Sequence, residues 1–391
     1  MIRHLFTLIW NKKRTHALLL IEILASFLVL FGVTSLIIYN FRNYAEPVGF
    51  NYQNRWAISM DWGDMPDSVS YPLRQQLKQR VLAYPQVIAA SISSGNYPFS
   101  NSTSNGRPRY NGVQFNVFNY FVDPDYAKTL EMAVLEGRWY DRADESTVVP
   151  QVVVTRDLID KVFGKGQPGV GKLLINDEDK KDKKRIIGVV GNFKQDGEFS
   201  PTTSCIFYRA SKTDWSNVLL VQVQPGTDAA FEGNMMRELG QMVKGWNLEV
   251  SYLADQRVSK QRFTLVPMII FLVVSTFLLI NVALGLFGVL NVSITRRRGE
   301  IGLRRALGAT EGSISRQFVG EIWVLATFAL VLGLILAAQF PLMNVFDLDA
   351  SVYLTAMVVS VLVIYLIVTL CALYPSRQAA TIQPATALHE E

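Results

Sequence analysis

Charge is missing from four places in this chain, and those places decide what it can fold into. Between Arg262 and Arg296 stand 33 consecutive residues without Asp, Glu, Lys or Arg, and between Asp349 and Arg377 stand 27. From Thr15 to Asn40 the only charge is Glu22, and from Gln317 to Phe346 the only charge is Glu321. A helix rises 1.5 Å per residue, so crossing ~30 Å of hydrocarbon takes about 20 apolar residues. Each stretch is long enough, and buried helices of a soluble core rarely run so far uncharged. The pattern predicts membrane-spanning helices at residues 17–40, 263–294, 318–340 and 352–374.

Lys and Arg gather on the cytoplasmic flanks of such spans. The N-terminal segment holds Arg3, Lys12, Lys13 and Arg14 with no acid. The connection at 295–317 holds Arg296, Arg297, Arg298, Arg304, Arg305 and Arg316 against Glu300 and Glu311, while the turn at 341–351 has only Asp347 and Asp349. With four spans both termini share a side, so the N-terminal segment, the 295–317 connection and the tail at 375–391 are expected in the cytoplasm, and residues 41–262 outside. The apolar run of the first span exceeds the 7–15 residues of a signal-peptide core and no small-residue cleavage site follows, so it should remain as an anchor. Ahead of it Ile2, Leu5, Phe6, Ile9 and Trp10 recur at helical spacing. That predicts an interfacial amphipathic helix over 1–16, the alternative being a first span that begins early.

The external segment is charged like a soluble protein. Its 222 residues carry 27 basic and 25 acidic side chains, close to the roughly 25% of ordinary domains. The charge deficit therefore belongs to the spans, and the net charge of +5 reflects orientation, with no call for a nucleic-acid partner. β-prone runs are expected at Arg55 to Ser59, Val87 to Ser93, Val113 to Val122, Val149 to Thr155, Ile186 to Val190, Cys205 to Arg209, Val218 to Val223 and Leu248 to Leu253. Helices are expected at Ser70 to Ala83, Tyr126 to Met132, Arg156 to Phe163 and Asp228 to Val243, and loops or hairpin tips at Ser100 to Pro108 and Ile175 to Lys184. The fold class is thus a membrane protein of four transmembrane α-helices with a large α+β extracytoplasmic domain between helices 1 and 2. That domain is long enough to bury its own core, as two small subdomains.

Several chemistries are closed off. Cys205 lies in the external segment and Cys371 in the fourth span, so they share no compartment and no internal disulfide framework is available. His4, His16 and His389 all lie near the termini, which leaves the external domain without the ligands and bases of common zinc sites and His-based triads. Asp61 with Asp64, or Asp123 with Asp125, could be nominated as a carboxylate pair, but acids in such loops are more often turn formers. Gly166 to Leu173 read GQPGVGKL, which satisfies G-x-x-x-x-G-K yet puts Leu173 where a phosphate-binding loop needs Ser or Thr. The stretch before it, ending in Gly164, reads as a helix where that motif needs a strand. No metal site, catalytic residue or cofactor-binding residue is expected.

The most informative stretch is Gly285 to Thr310, GLFGVLNVSITRRRGEIGLRRALGAT. A helix leaves the membrane near Ser293, meets three arginines, and continues as a short amphipathic helix with Ile301, Leu303, Ala306 and Leu307 among Glu300, Arg304 and Arg305. Gly308 is placed to end it, Thr310 to cap the next helix, and Glu311 to face that helix's positive end. Such an element suits a groove on a partner protein. It equally suits anionic lipid, which polybasic patches bind.

The run RRRGEIGLRRALGAT resembles the cytoplasmic signature of the FtsX/MacB-type permeases of ATP-binding-cassette (ABC) transporters. Arg297, Glu300, Ile301, Gly302, Arg304, Ala306, Leu307, Gly308 and Ala309 match it, and Leu303, Arg305 and Thr310 are mild variants. The tail from Tyr374 to Leu388 is similar to the family's closing motif. Val122 to Tyr140, Phe163 to Lys172 and Arg185 to Lys194 resemble the MacB-like periplasmic core domain. The resemblance covers nearly the whole chain and implies a permease subunit of a mechanotransmission-type system in the bacterial inner membrane. Its coupling helix, carried over to Arg297 through Ala309 and including Arg298, would dock on a cytoplasmic ABC ATPase subunit. The permease would work as a homodimer or a heterodimer with a related permease, and would bind no cofactor itself, ATP and Mg belonging to the ATPase. MacB fuses its ATPase to the permease; this chain starts 16 residues before its first span, so the expected ATPase is a separate polypeptide.

The resemblance leaves two outputs open. One is export or extraction of a peptide, lipoprotein or drug, with a periplasmic adaptor. The other is FtsX-like signalling that controls a cell-wall hydrolase or senses an antimicrobial peptide. A membrane-anchored external enzyme fits less well, given the missing histidines. Glu22 and Glu321 remain as intramembrane acids. A mid-membrane charge costs about 2.5–3.5 kcal/mol on insertion scales, which makes each a candidate for a coupling role. The competing expectation is a structural pair or a hydrogen-bonded acid, with Arg14 or Arg316 in reach.

Overall fold

The computed structural model describes residues 13–141, 144, 149–212, 214, 216–343 and 345–380. The interfacial helix expected over 1–16 lies almost wholly outside the described residues, as does the tail beyond 380. The chain divides into two compact units, one formed by Arg42–Thr264 and the other by the sequence on either side of it.

In chain order the strands of the Arg42–Thr264 unit are β1 (Arg55–Asp61), β2 (Val87–Ser93), the short β3 (Asn105–Gly106), β4 (Arg109–Tyr110) and β5 (Val113–Gln114), then β6 (Val117–Val122), β7 (Val134–Gly137), β8 (Gln151–Thr155), β9 (Leu173–Ile175), β10 (Lys183–Val190), β11 (Cys205–Arg209), β12 (Val218–Val223) and β13 (Asn247–Tyr252). One sheet runs β13-β1-β12-β2-β6-β11-β8-β10-β7, with β3 on β6 and β9 on β10. Its first half is antiparallel throughout, with Ala57 of β1 opposite both Leu220 and Ser251. The helices Asp67–Leu82 and Ala229–Met242 each follow one strand of this half and precede another. That is the β-α-β-β-α-β arrangement of a split βαβ fold. Its middle hairpin is opened by the whole of the second half, in which β6 runs parallel to β11 and β8 parallel to β10. Between β2 and β6 the ladder holds only at Ser93 and Val122.

Alternation explains why the halves stay together. Successive residues of a strand point to opposite faces. On β12, Leu219 and Val221 face a core built with Leu77, Val81, Met235 and Leu239 of the two helices. Val218 and Leu220 face the other way, into a core that also takes Val153, Cys205 and Phe207 from the second half. Val152, Val154 and Ile206 face a third core under the helix Arg156–Phe163. The expected pair of subdomains is thus two lobes of one body, joined by the short β2–β6 ladder and, on one sheet face, by a shared aromatic core.

Most expected elements are present, with informative exceptions. The strand expected over Val113 to Val122 is interrupted at Phe115 and Asn116: Val113 and Gln114 pair with β4 across a turn at Asn111 and Gly112, at φ 50° and 79°, and Val117–Val122 joins the main sheet. The helix at Tyr126 stops at Thr129, three residues early, and Glu131 follows with φ 51°. The glycine-rich run follows the helix Arg156–Phe163, whose C-terminal Gly164 has φ 95°. The Gly169 N–H of that run donates to the Glu136 carboxylate at 2.8 Å. The anion that this loop holds is therefore its own glutamate, itself paired with Arg156.

The other unit contains the long helices. Among the described residues four helices are long and apolar enough to cross a membrane, over Ala17–Ala45, Leu253–Arg296, Glu311–Leu342 and Ala350–Ala379. The first two run beyond the expected limits, to Ala45 and back to Leu253, so their polar ends belong to the Arg42–Thr264 unit. Between the first and third spans Phe27 lies so close to Gly333 that any side chain there would collide with its ring. Small residues allow such approach between membrane helices, where packing must replace the hydrophobic effect. Phe31 then meets Phe340 and Tyr353, at 5.6 and 6.2 Å between ring centroids.

Candidate functional site

The short helix Arg298–Ala306 follows directly on the span Leu253–Arg296, the chain breaking at Arg297 with φ −106°. Its C-terminal end is a Schellman motif: Gly308, at φ 95°, donates to Arg305 O at 3.1 Å, and Ala309 donates to Arg304 O at 3.0 Å. Thr310 then accepts from Ser313 N–H at 3.3 Å and caps the helix Glu311–Ala337, with Glu311 in its first turn. Both ends of the connection are therefore held by local hydrogen bonds that a Gly and a Thr supply.

The helix is two-faced. Ile301 and Gly302 are buried, Ile301 packing with Ile294, Ile314 and Phe318. One turn around, Leu303 and Leu307 are 53% and 80% exposed, with Ala306 also exposed. Arg304 joins Glu300 at 2.6 Å and Gln317 at 2.5 Å, and Arg305 joins Glu311 at 3.1 Å. Arg298 is exposed on the first turn. Leu303 and Leu307 thus form an exposed apolar i, i+4 pair at the end of a helix whose polar side chains are braced internally.

Arg297 behaves differently from the other candidates. Its Nη1 donates to both oxygens of Glu321 at 2.9 and 3.1 Å, and Gln317 Nε2 donates to the same carboxylate at 3.4 Å. The expected partner of Glu321 was Arg316. The helix directs Glu321 instead toward the break before the short helix, so two sequence-selected residues prove to be one pair and Arg297 is a brace. Glu22 lies elsewhere, half-buried, its Oε2 2.8 Å from where a Cβ on Gly285 would stand. Gly285 thus makes room for the carboxyl; the Arg14 side chain proposed as its partner lies outside the described residues. Gln317 and Gly285 were missed, although each stands near the same membrane end as the acid it serves.

The nominated carboxylate pairs are structural. Asp123 and Asp125 both bind Lys78 Nζ, at 2.7 and 2.5 Å, and Asp123 also accepts from Ser91 Oγ and Ile92 N–H. Asp61 accepts from Gly63 N–H at 3.1 Å, as a turn former does. Burial pushes the Cys205 thiol well above its usual range, so it is no ready nucleophile. Among the described residues no group of His, Cys, Asp and Glu could hold a metal ion.

Four apolar spans and a mixed sheet inserted after the first define a polytopic membrane protein with a folded extramembrane domain. Two family descriptions match: FtsX-like permease C-terminal over residues 272–384 and MacB-like periplasmic core domain over residues 23–235, the latter more than half of the chain. The macrolide export ATP-binding/permease protein MacB of Hahella chejuensis is 27% identical over 354 residues, which cover 85% of this chain and 50% of that protein. MacB 1/2 of Paracoccus denitrificans is 26% identical over 231 residues, 56% of this chain and 34% of that protein. The periplasmic region of MacB from Actinobacillus actinomycetemcomitans superposes with a TM-score of 0.38 at 14% identity, over 56% of this chain and 97% of that one. The chain spans about half the length or less of these curated relatives. It belongs to the FtsX/MacB-like permeases of ABC transporters, and it is a bacterial inner-membrane protein whose periplasmic domain is the Arg42–Thr264 unit.

Proposed function

We propose that this permease converts ATP hydrolysis on a separate cytoplasmic ABC ATPase into movement of its periplasmic domain. The observation that carries the reading is the outward Leu303 and Leu307 on a helix whose other face, end and preceding arginine are all fixed internally. A rigid knob transmits a push; a floppy basic loop does not. Arg298, Glu300 and Arg304 would frame the contact, while Ile301, Gly302, Gly308 and Ala309 hold its shape. Both termini and this helix face the cytoplasm, as the Lys and Arg distribution supports. The permease binds no cofactor or metal itself; ATP and Mg sit on the ATPase.

The working unit is a dimer, with an identical or related permease. The span Leu253–Arg296 supports this, since consecutive residues such as Ile269, Ile270, Phe271 and Leu272 are all about half exposed and so leave every face of that stretch open. The cargo is a peptide, lipoprotein or drug taken from the periplasmic side with an adaptor protein, a reading supported by relatives named for macrolide export. Purification of the tagged chain from detergent extracts tests the central claim. An ATPase should come with the wild type and be lost with Leu303→Asp and Leu307→Asp together; no ATPase with the wild type would defeat the proposal.

A further inference from the structure

The sequence Lys194–Ser200, KQDGEFS, follows β10 and closes one of the motifs that mark the periplasmic domain, yet no part of the site above uses it. Its contacts reach the polar ends of both helices that connect this domain to the membrane. Lys194 is fully buried, and its Nζ donates to Asn43 O, to Glu46 O at 3.3 Å and to Glu198 O at 3.4 Å. Asn43 lies in the last turn of the helix Lys13–Ala45 and Glu46 directly follows it. The last carbonyls of a helix carry its negative end, so the ammonium adds a charged donor to Asn43 O, which also accepts from Glu46 N–H at 3.1 Å. Asn43 Nδ2 returns a hydrogen bond to Phe199 O at 2.9 Å, and the Tyr44 and Phe199 rings lie 5.3 Å apart.

The same segment holds the start of the second helix. Glu198 pairs with Arg257 and accepts from Gln261 Nε2 at 3.2 Å, and Asp196 pairs with Lys260 at 2.8 Å. Behind these, Gln195 is tied to the sheet: it accepts from Tyr120 OH and Phe99 N–H and donates to Ser102 O at 3.0 Å. Phe193, one residue earlier, is buried against Phe50, Tyr120 and Phe207 in the shared core. A buried ammonium cannot part from its carbonyls cheaply, because it would stand desolvated and unpaired. The segment must therefore move with the helix ends or lose several charged contacts at once.

We propose that Lys194–Ser200 is a clasp through which the first two spans drive the sheet, Lys194 gripping the end of the first helix and Asp196 and Glu198 the start of the second. These are positioning residues, and the inference rests on the proposed mechanical coupling. The test uses the full chain with its co-purified ATPase in lipid nanodiscs, and reads hydrogen–deuterium exchange of β10 and β11 with and without ATP plus orthovanadate. In the wild type the nucleotide alters exchange there. Glu198→Arg and Arg257→Glu each reduce that response by roughly two- to thirty-fold, the range over which residues on a coupling route act. ATPase binding and basal hydrolysis persist, and the double exchange E198R with R257E restores the response. Lys194→Met behaves like the single variants. A wild type that responds alongside variants that respond equally overturns the clasp and leaves the coupling reading standing. Two silent single variants with a silent double variant assign the loss to damage and also overturn it. A wild type that never responds defeats the coupling reading itself.

Discussion

The two units of this chain treat their surfaces in opposite ways. In the periplasmic domain most large apolar side chains are inside and buried charges have partners: Arg55 meets Glu131 at 2.7 Å, and Lys78 bridges two aspartates. In the other unit large apolar side chains face outward, with Phe277, Leu284 and Leu362 63%, 65% and 62% exposed. Both interiors are apolar and close-packed, so the difference lies in the surrounding solvent. Water rewards polar surface, whereas lipid requires that backbone groups be satisfied within helices and leaves apolar side chains outside at no cost. The comparison also separates one span from its neighbours: the most apolar window of Leu253–Arg296 is 6% buried, against 33% for the third and fourth spans. That stretch is left almost uncovered by the other spans, although Val282, Leu286, Leu290 and Ile294 further along the same helix are buried.

The same truncation in the two units should give the widest contrast. Phe207→Ala removes a ring packed against Tyr120, Trp139 and Phe193, and should destabilise the periplasmic domain by about 3–5 kcal/mol. Phe277→Ala removes an outward ring and should change the stability of the purified chain by no more than about 0.5 kcal/mol. Thermal unfolding of the intact chain in detergent measures both, and equal losses would break the comparison. Next in size is Arg297→Met, which leaves Glu321 uncompensated beside the membrane. Full burial of such a charge costs about 3–5 kcal/mol, and this partly exposed pair should show about 2–3. Adding Glu321→Leu should recover most of the lost melting temperature, since an apolar pair is no worse than an ionic one. Failure of the double variant to recover would mean that Arg297 acts through another contact.

Acid should destabilise the periplasmic domain. Hydrogen bonds from Asn51 and Arg55 hold the Glu131 carboxyl below its usual 4.5, Arg156 with the Gly169 N–H does so for Glu136, and Arg138 holds Asp144 below its usual 3.8. With folded values depressed, the unfolded chain takes up protons first as pH falls. These pairs therefore stabilise fully above the unfolded values, and their contribution disappears as pH drops through about 4 toward the folded values. Urea midpoints followed by domain tryptophan fluorescence should fall between about pH 6 and about pH 3, and Glu136→Gln should flatten part of that fall. A midpoint that rose on acidification would contradict the assignment.

What could be read from sequence follows from how local its cause is. Cys205–Arg209 and Val218–Val223 fall where expected because both strand faces meet a core, so runs apolar but for Arg209 and Gln222 mark them. The spans are legible because lipid tolerates so little charge, and Gly308 because a left-handed backbone at a helix end selects it. Strand order is not legible: nothing near β2 announces that it will lie beside β12, more than a hundred residues on. The partner of Glu321 was misread for the same reason. Arg316 is nearer in sequence, but the turn built by Gly308 and Thr310 brings Arg297 back across 24 residues. Lys194 gave no sign of burial, because two of its carbonyl partners, Asn43 O and Glu46 O, lie at and just past the end of a helix about 150 residues earlier.

The smallest effects test whether the cytoplasmic connection is as rigid as a mechanical element requires. Thr310→Ala removes the side-chain acceptor for Ser313 N–H and should cost about 1 kcal/mol, the usual worth of an N-cap. Gly308→Ala forces a side chain into the left-handed region and should cost about 1–2 kcal/mol. Open space surrounds Gly308, so the penalty is backbone strain alone, and Gly308→Asn, which tolerates that conformation, should recover most of it. Neither residue lies on the outward Leu303 and Leu307 pair. If both nonetheless lower ATPase co-purification while leaving domain unfolding unchanged, the helix works as a braced knob. If ATPase binding follows only the two leucines, the contact is apolar area alone and the bracing by Gly308, Thr310 and the Arg297 pair serves the stability of the spans.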